Sequence, residues 1–442
     1  MWSLARPRGA LLLRPLPRAA RGWDREQRRH RVKSKWATTR SKVPNTQAAL
    51  QLMDATYGLQ LGHMWESVRL ALLCERKYGA LVNAWADSDG TGGELRRLGA
   101  VDLVRDVVTR SLAGRDAGEA RRVSEPTAER PLDERGRESR GGDGAPCPSD
   151  PPDHEGGELG KSLMLESSVL STLRLSPNIR CFTFPRGDIS RFPQPWPAGA
   201  LRLLSHYLLD AASLLPVLAL DVQLGHRVLD LCAAPGGKTL ALLQTACCDQ
   251  LTSNDVSASR TGRLQRVLRT YVPRDAEEAG VPAGGVSVRT RDGIFWLKSA
   301  EERGVYDRVL VDAPCTNDRH SLHEEENNIF SRSRMKERQQ LPALQTQLLL
   351  AGLLACRPGG VVVYSTCSLS QLQNSCVVEA ALSLATTNHN VDAQACDLSG
   401  MRALFSHAFT FQEEEDRFGE TVIPHVAANF GPIYVSKIVR LS

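Results

Sequence analysis

The sequence predicts a doubly wound, mostly parallel α/β sheet behind an N-terminal helical extension. Three observations carry that expectation. From Gly225 onward, short runs rich in Val, Leu and Ile alternate with longer stretches at helical spacing, the pattern of strands joined by crossover helices. A glycine-rich loop, Ala233-Ala-Pro-Gly-Gly-Lys238, follows the first run. Three later runs lead into aspartates, at Asp255, Asp292 and Asp312, and ligands of such sheets gather outside the carboxyl ends of the strands.

Taken in order, residues 44–112 read as helical. Ala48 to Leu61 and Met64 to Trp85 carry apolar residues three and four apart, anchored by Trp65, Leu72 and Trp85. Tyr57, Trp65 and Tyr78 have the chemistry to stack on nucleobases, although core packing is the ordinary use of such residues. Residues 113–160 are rich in Asp, Glu, Arg, Gly, Pro and Ser and lack aromatics. A segment of that kind buries too little surface to offset chain entropy, and it reads as a disordered linker. The main domain occupies 161–442. Pro177 to Pro185 reads as an edge strand bordered by prolines, and Leu201 to Leu220 as an apolar helical stretch broken at Pro216. Strands are expected at 227–232, 251–255, 286–290, 308–312 and 360–365, with late strands at 407–411 and 432–439. Helices are expected at 239–245, 257–271, 341–355 and 371–385.

Composition excludes several classes. No apolar run reaches the roughly 18 residues of a membrane-spanning helix. The eleven cysteines are scattered, odd in number and without a Cys-x-x-Cys pair, which argues against a zinc ribbon or a disulfide framework and for a reducing compartment. Residues 1–23 hold Arg6, Arg8, Arg14, Arg18 and Arg21 with no acid; without them the formal charge of +5 falls to zero. An Arg-rich, acid-free leader fits a mitochondrial transit peptide better than a secretory signal. The basic arm at 24–43, with Arg25, Arg28, Arg29, Arg31, Lys33 and Lys35, suits phosphate contacts or a solvated tail equally.

Gly236-Gly237-Lys238-Thr239 invites comparison with a nucleotide P-loop. That motif requires glycine six residues before its lysine, and Cys232 stands there. The loop suits close approach of an adenosine ligand to bare backbone. Asp255, about twenty residues on, is placed to accept ribose hydroxyls. Asp292, beside Gly293, is placed to face an adenine amino group. Arg260 either reaches the ligand or caps a surface charge. Together with Asp312 the set points to S-adenosylmethionine; the absence of G-x-G-x-x-G speaks against a dinucleotide.

Val309-Leu-Val-Asp312-Ala-Pro-Cys315 and Val361-Val-Val-Tyr-Ser-Thr-Cys367 are buried strands that end in thiols. If they are neighbours, one carboxylate and two thiols meet at the sheet edge. Cytosine C5 is too weak a nucleophile to accept a methyl group unaided. A thiolate added at C6 activates it and can leave again. Charge that builds on the ring calls for an acid near N3, a carboxyl group that is protonated or shares a proton. A second thiol can assist the closing elimination.

Asp230-Leu-Cys-Ala-Ala-Pro-Gly-Gly-Lys-Thr239, Asp312-Ala-Pro-Cys315 and Tyr364-Ser-Thr-Cys-Ser368 together resemble the Nol/Nop/Sun-domain RNA cytosine-C5 methyltransferases over roughly 177–442. The resemblance implies a Rossmann-like class I methyltransferase sheet and S-adenosyl-L-methionine as cofactor. It implies Cys367 as nucleophile, Cys315 as the thiol that promotes release, and Asp312 as the acid holding cytosine. Its cofactor positions correspond to Gly236, Gly237, Lys238, Asp255, Arg260, Asp292, Gly293 and again Asp312. Tyr78-Gly-Ala-Leu-Val-Asn83, Asn178-Ile-Arg-Cys-Phe-Thr-Phe184, Asp318 to Phe330 and Ala428-Asn-Phe-Gly-Pro432 resemble the vertebrate mitochondrial branch. That branch implies a mitochondrial matrix enzyme acting on small-subunit rRNA, with a helical-repeat partner of the mitochondrial termination-factor family. The linker at 113–160 and the insert at Arg274–Gly285 are longer than the family pattern.

Two other readings stand beside this one. A DNA cytosine methyltransferase would attack with Cys315 and leave Cys367 dispensable. A ribosome-assembly factor would bind RNA and a partner without needing the chemistry. His323 to Asn328 either lines a base entrance or forms a solvated acidic loop.

Overall fold

The computed structural model describes residues 43–110, 175–176, 178–273, 285–413 and 416–442. The leader at 1–23, nearly all of the basic arm, the linker at 113–160 and the insert at 274–284 lie outside the described residues.

Two helices, Asn45–Leu61 and Trp65–Leu73, open the described chain. A small antiparallel sheet follows, built from β1 (Gly79–Val82), β2 (Val101–Asp102), β3 (Cys181–Thr183) and β6 (His206–Leu209) in the order β2-β3-β1-β6. A short hairpin, β4 (Pro197–Ala198) with β5 (Leu203–Leu204), precedes β6. The large sheet contains β7 (His226–Asp230), β8 (Cys248–Asn254), β9 (Val286–Arg289), β10 (Tyr306–Asp312), β11 (Cys356–Thr366), β12 (Ala393–Ala395) and β14 (Ile433–Arg440), in the order β12-β14-β11-β10-β7-β8-β9. The five strands from β11 to β9 are parallel, β14 runs against β11 and β12, and β13 (Glu420–Val422) pairs with β14.

The central strands read as unbroken apolar runs because both faces are covered. Successive residues of β10 alternate between two cores. Leu310 packs with Val228 and Val363 on one face, while Val309 and Val311 pack with Leu229 and Val362 on the other. Strand order reverses between β7 and β10, so the crevice outside their carboxyl ends is the expected ligand position.

Several local expectations fail for tertiary reasons. The segment at 44–112 is not only helical, since it contributes β1 and β2 to the small sheet. Strand β3 is interior, because β1 and β2 flank it from far away in the chain. Within Leu201 to Leu220 only Leu215–Leu220 is α-helical, and Pro216 sits in its first turn, where a missing N–H costs nothing. The strand expected to reach Cys232 ends at Asp230. β8 begins at Cys248, three residues before the 251 expected. Residues 407–411 form a turn with one bridge, Phe411 to Val422; their alternation buries Phe409 and Phe411 without making a strand.

Candidate active site

β7 runs into the glycine loop, and the helix Gly237–Gln244 starts directly behind it. Gly236 has φ +117°, and a Cβ there would lie 2.9 Å from Leu264 Cδ1. A Cβ on Gly237 would approach Tyr207 Cε1 to 3.2 Å, and one on Gly293 would meet Leu348 Cδ2 at 2.5 Å. Gly236 has a left-handed φ that disfavours any side chain, and a Cβ at Gly237 or Gly293 would press on Tyr207 or Leu348, so glycine at all three leaves bare backbone facing the cleft.

Asp230 ends β7 fully buried. One oxygen accepts the Thr239 hydroxyl at 2.7 Å; the other has no partner among the described residues. Burial pushes this carboxyl up to about 7, against the Thr239 donor, and the negative charge of Asp312 adds to the rise. The folded protein therefore holds a proton that the unfolded chain has lost. The associated stability is fully present below the ordinary carboxylate range and disappears as pH rises to about 7. Unfolding free energy from urea titrations is expected to fall with a slope approaching about 1.4 kcal/mol per pH unit across that window. Asp230→Asn should flatten the slope, and equal slopes in the two proteins would refute this origin.

Asp255 lies just past β8, 2% exposed. It accepts the Ser257 N–H at 2.9 Å and pairs with Arg260 at 3.3 Å. Arg260 also donates to the Ala234 carbonyl, so it ties Asp255 to the glycine loop. Asp292 is exposed and accepts the Ile294 N–H at 3.0 Å, next to Gly293. Bare backbone at three glycines, the unpartnered Asp230 Oδ1 as an open acceptor and the exposed Asp292 carboxylate together fit a ligand with an ammonium group, a ribose and an adenine. Gly236, Gly237, Asp255, Asp292 and Gly293 would hold S-adenosylmethionine.

β10 and β11 are neighbours, with Asp312 in register with Ser365. That pairing brings the two thiols together, with Cys315 Sγ 3.2 Å from Cys367 Sγ, both partly exposed. Asp312 accepts the Lys238 ammonium at 2.8 Å on one oxygen and the Ser365 hydroxyl at 2.8 Å on the other. Burial pulls the Lys238 ammonium down, but Asp312 more than offsets this and its pKa is raised. The Cys367 thiol is pushed well above its usual range by its hydrogen bond with Cys315, by burial and by Asp312; Lys238 opposes the rise. The resting nucleophile candidate is thus protonated. The lysine assigned to the cofactor loop bridges that loop to Asp312 as an ion pair.

The roles of Asp318 and Arg319 were not legible in the sequence, and the aromatic residues and the His323–Asn328 loop it singled out take structural places. Asp318, fully buried, accepts from Thr316 Oγ1 at 2.5 Å, the Leu369 N–H at 2.7 Å and the Tyr57 hydroxyl at 2.9 Å. Tyr57 packs edge-on to Trp65 at 5.6 Å between ring centroids, so both are core residues. Tyr78 receives Arg76 over its ring at 4.7 Å. Arg319 crosses the interior to the carbonyls of Ala71, Cys74 and Gly431 and to Asn429. Glu325 accepts the backbone N–H groups of Asn45 and Thr46, both at 2.9 Å, and so caps the first helix. His323 bonds the Leu72 carbonyl at 2.8 Å. The loop from His323 to Asn328 is thus docked on the N-terminal helices.

Comparison with known proteins gives the family. A family model for the 16S rRNA methyltransferase RsmB/F matches residues 217–438. The chain is 49% identical to the 5-cytosine rRNA methyltransferase NSUN4 of Mus musculus, over 94% of each chain. It is 48% identical to the protein of that name from Xenopus laevis, over 94% of this chain and 95% of the relative. A mitochondrial tRNA (cytosine(34)-C(5))-methyltransferase of Danio rerio is 43% identical over 64% of this chain and 74% of its own length. The solved structure of PH0851 shares the fold at a TM-score of 0.51 and 16% identity, covering 88% of this chain and 65% of that one. The chain belongs to the Nol/Nop/Sun-domain family of S-adenosylmethionine-dependent RNA cytosine-C5 methyltransferases.

Proposed function

We propose that this protein methylates C5 of a cytosine in mitochondrial small-subunit rRNA, with Cys367 as nucleophile. The observation that carries the reading is the approach of two thiols to 3.2 Å beside the Asp312–Lys238 pair. S-adenosylmethionine supplies an electrophilic methyl group when bound. Cys367 gives its proton to solvent as the base arrives and adds to C6, which makes C5 nucleophilic toward that methyl group. The Asp312–Lys238 pair holds a proton against N3, where charge accumulates. Cys315 assists removal of the C5 proton, and the electrons returning to the ring expel Cys367. The base must be unpaired or extruded to reach both thiols.

Several features support the rRNA target and compartment. Relatives of nearly the same length carry the name 5-cytosine rRNA methyltransferase, and a further relative is named as mitochondrial. The arginine-rich, acid-free leader at 1–23 suits import, and we place the enzyme in the matrix. With the leader removed the formal charge is zero, so RNA affinity draws on local basic patches or on a partner. A helical-repeat protein of the mitochondrial termination-factor family is the partner we assign. Bisulfite sequencing of mitochondrial RNA from cells with and without the protein tests the reading. Loss of 5-methylcytosine at a small-subunit position is expected; an unchanged pattern would sink it.

A further inference from the structure

The loops that carry the two thiols are bound to each other by one buried carboxylate. Asp318 lies three residues after Cys315 and is fully buried. Its oxygens accept from Thr316, which follows Cys315, and from the Leu369 N–H and Ser368 hydroxyl, which follow Cys367. Its own N–H donates to the Cys367 carbonyl at 3.2 Å. The Thr316 and Ser368 hydroxyls lie 2.8 Å apart, and the Gln373 amide donates to both, at 3.1 and 3.2 Å. A fourth donor, the Tyr57 hydroxyl, comes from the N-terminal helix Asn45–Leu61.

Four donors converge on a group that only accepts, so a carboxylate fits there and an isosteric amide would turn N–H groups toward donors. Fully satisfied buried networks of this kind rigidify what they connect. We propose that Asp318 is a positioning residue that fixes Cys315 relative to Cys367, so that one thiol addresses C6 while the other addresses the proton on C5. The proposal rests on the two-thiol reading above. The two thiols do not depend on Asp318 equally. Cys367 directly follows the eleven-residue strand β11, which is bonded on both sides. Cys315 sits in the loop between β10 and the helix Asp318–His323. Loosening the network therefore displaces Cys315 more, and the release step suffers before the attack step. Misplacement of a reacting group by about 1 Å costs on the order of 100-fold in rate.

The test uses the full chain, S-adenosylmethionine and a labelled transcript of mitochondrial small-subunit rRNA, with Cys315→Ala as reference. Three quantities are read: turnover, the RNA that stays attached to protein on a denaturing gel, and thermal melting. Asp318→Asn is expected to cut turnover roughly 100-fold while the attached, methylated RNA rises well above wild type toward the level of Cys315→Ala. Thr316→Val, which removes the hydroxyl next to Cys315 with its bonds to Asp318, Ser368 and Gln373 but keeps the Asp318 carboxylate and its Leu369 and Tyr57 donors, should trap RNA in the same direction at smaller size. It keeps the test decisive if Asp318→Asn does not fold. A merely structural role predicts the opposite pattern, with turnover and attached RNA falling together in step with melting temperature, and that result would overturn the proposal. If Cys315→Ala traps RNA and neither network variant does, the positioning role alone is wrong. If no variant attaches RNA at all, the two-thiol reading fails and this inference with it.

Discussion

Cys367→Ala is expected to abolish methylation of RNA, by on the order of 10⁴-fold or more, because it removes the atom proposed to activate C5. Its S-adenosylmethionine affinity and fold should persist, since Cys367 lies at a partly exposed sheet edge and a small residue fills its place. Cys315→Ala should behave differently. Attack proceeds, release stalls, and protein stays bonded to its substrate. The contrast separates this enzyme from a DNA-type cytosine methyltransferase, in which the Pro-Cys thiol attacks. Trapping with a 5-fluorocytosine RNA is the decisive measurement. An adduct that survives Cys367→Ala and disappears in Cys315→Ala would reverse the assignment.

The largest stability effect is expected at Arg319. Arg319 is 7% exposed, and its guanidinium bonds the Gly431, Ala71 and Cys74 carbonyls and the Asn429 side chain, at 2.7 to 3.3 Å. Burial pulls the guanidinium down to about 10, against the attraction of Asp210. Asp210 in turn holds the Gly431 N–H at 2.8 Å. Arg319→Met keeps the volume but takes the guanidinium away from the Gly431 and Cys74 carbonyls and the Asn429 side-chain oxygen, and removes the positive charge that faces Asp210. A loss of about 3–5 kcal/mol in unfolding free energy follows, measurable by urea denaturation. A loss under about 1 kcal/mol would mean that water or rearrangement replaces the guanidinium. The same variant should disturb the loop that carries Cys315, because Arg319 stands next to Asp318 and joins that loop to the second helix and to the turn before β14.

These two sites differ in how far the sequence announces them. The thiols are announced by position: each follows a strand whose unbroken apolar run marks it as buried, and a polar or reactive residue at such a strand end needs an explanation. Nothing comparable marks Arg319 or Asp318. A charged residue in a polar stretch reads as solvated, and only packing of the N-terminal helices over the loop makes it interior. Tyr57 has the same history. Its spacing places it in a helical core, and its hydroxyl gains a role only because Asp318 arrives from 261 residues away.

The local sequence determined the parallel sheet, the glycine loop, the acids near its strand ends and the two thiols. Each depends on residues within one strand–loop–helix unit, where periodicity and turn chemistry are written consecutively. Tertiary structure alone decided that β3 is an interior strand, that Lys238 pairs with Asp312 rather than standing open in the cofactor loop, and that Asp318 joins the thiol-bearing loops. Those outcomes depend on which strand lies beside which and on what covers the loops. A hydrogen-bond partner far away along the chain leaves no trace in the spacing of its neighbours.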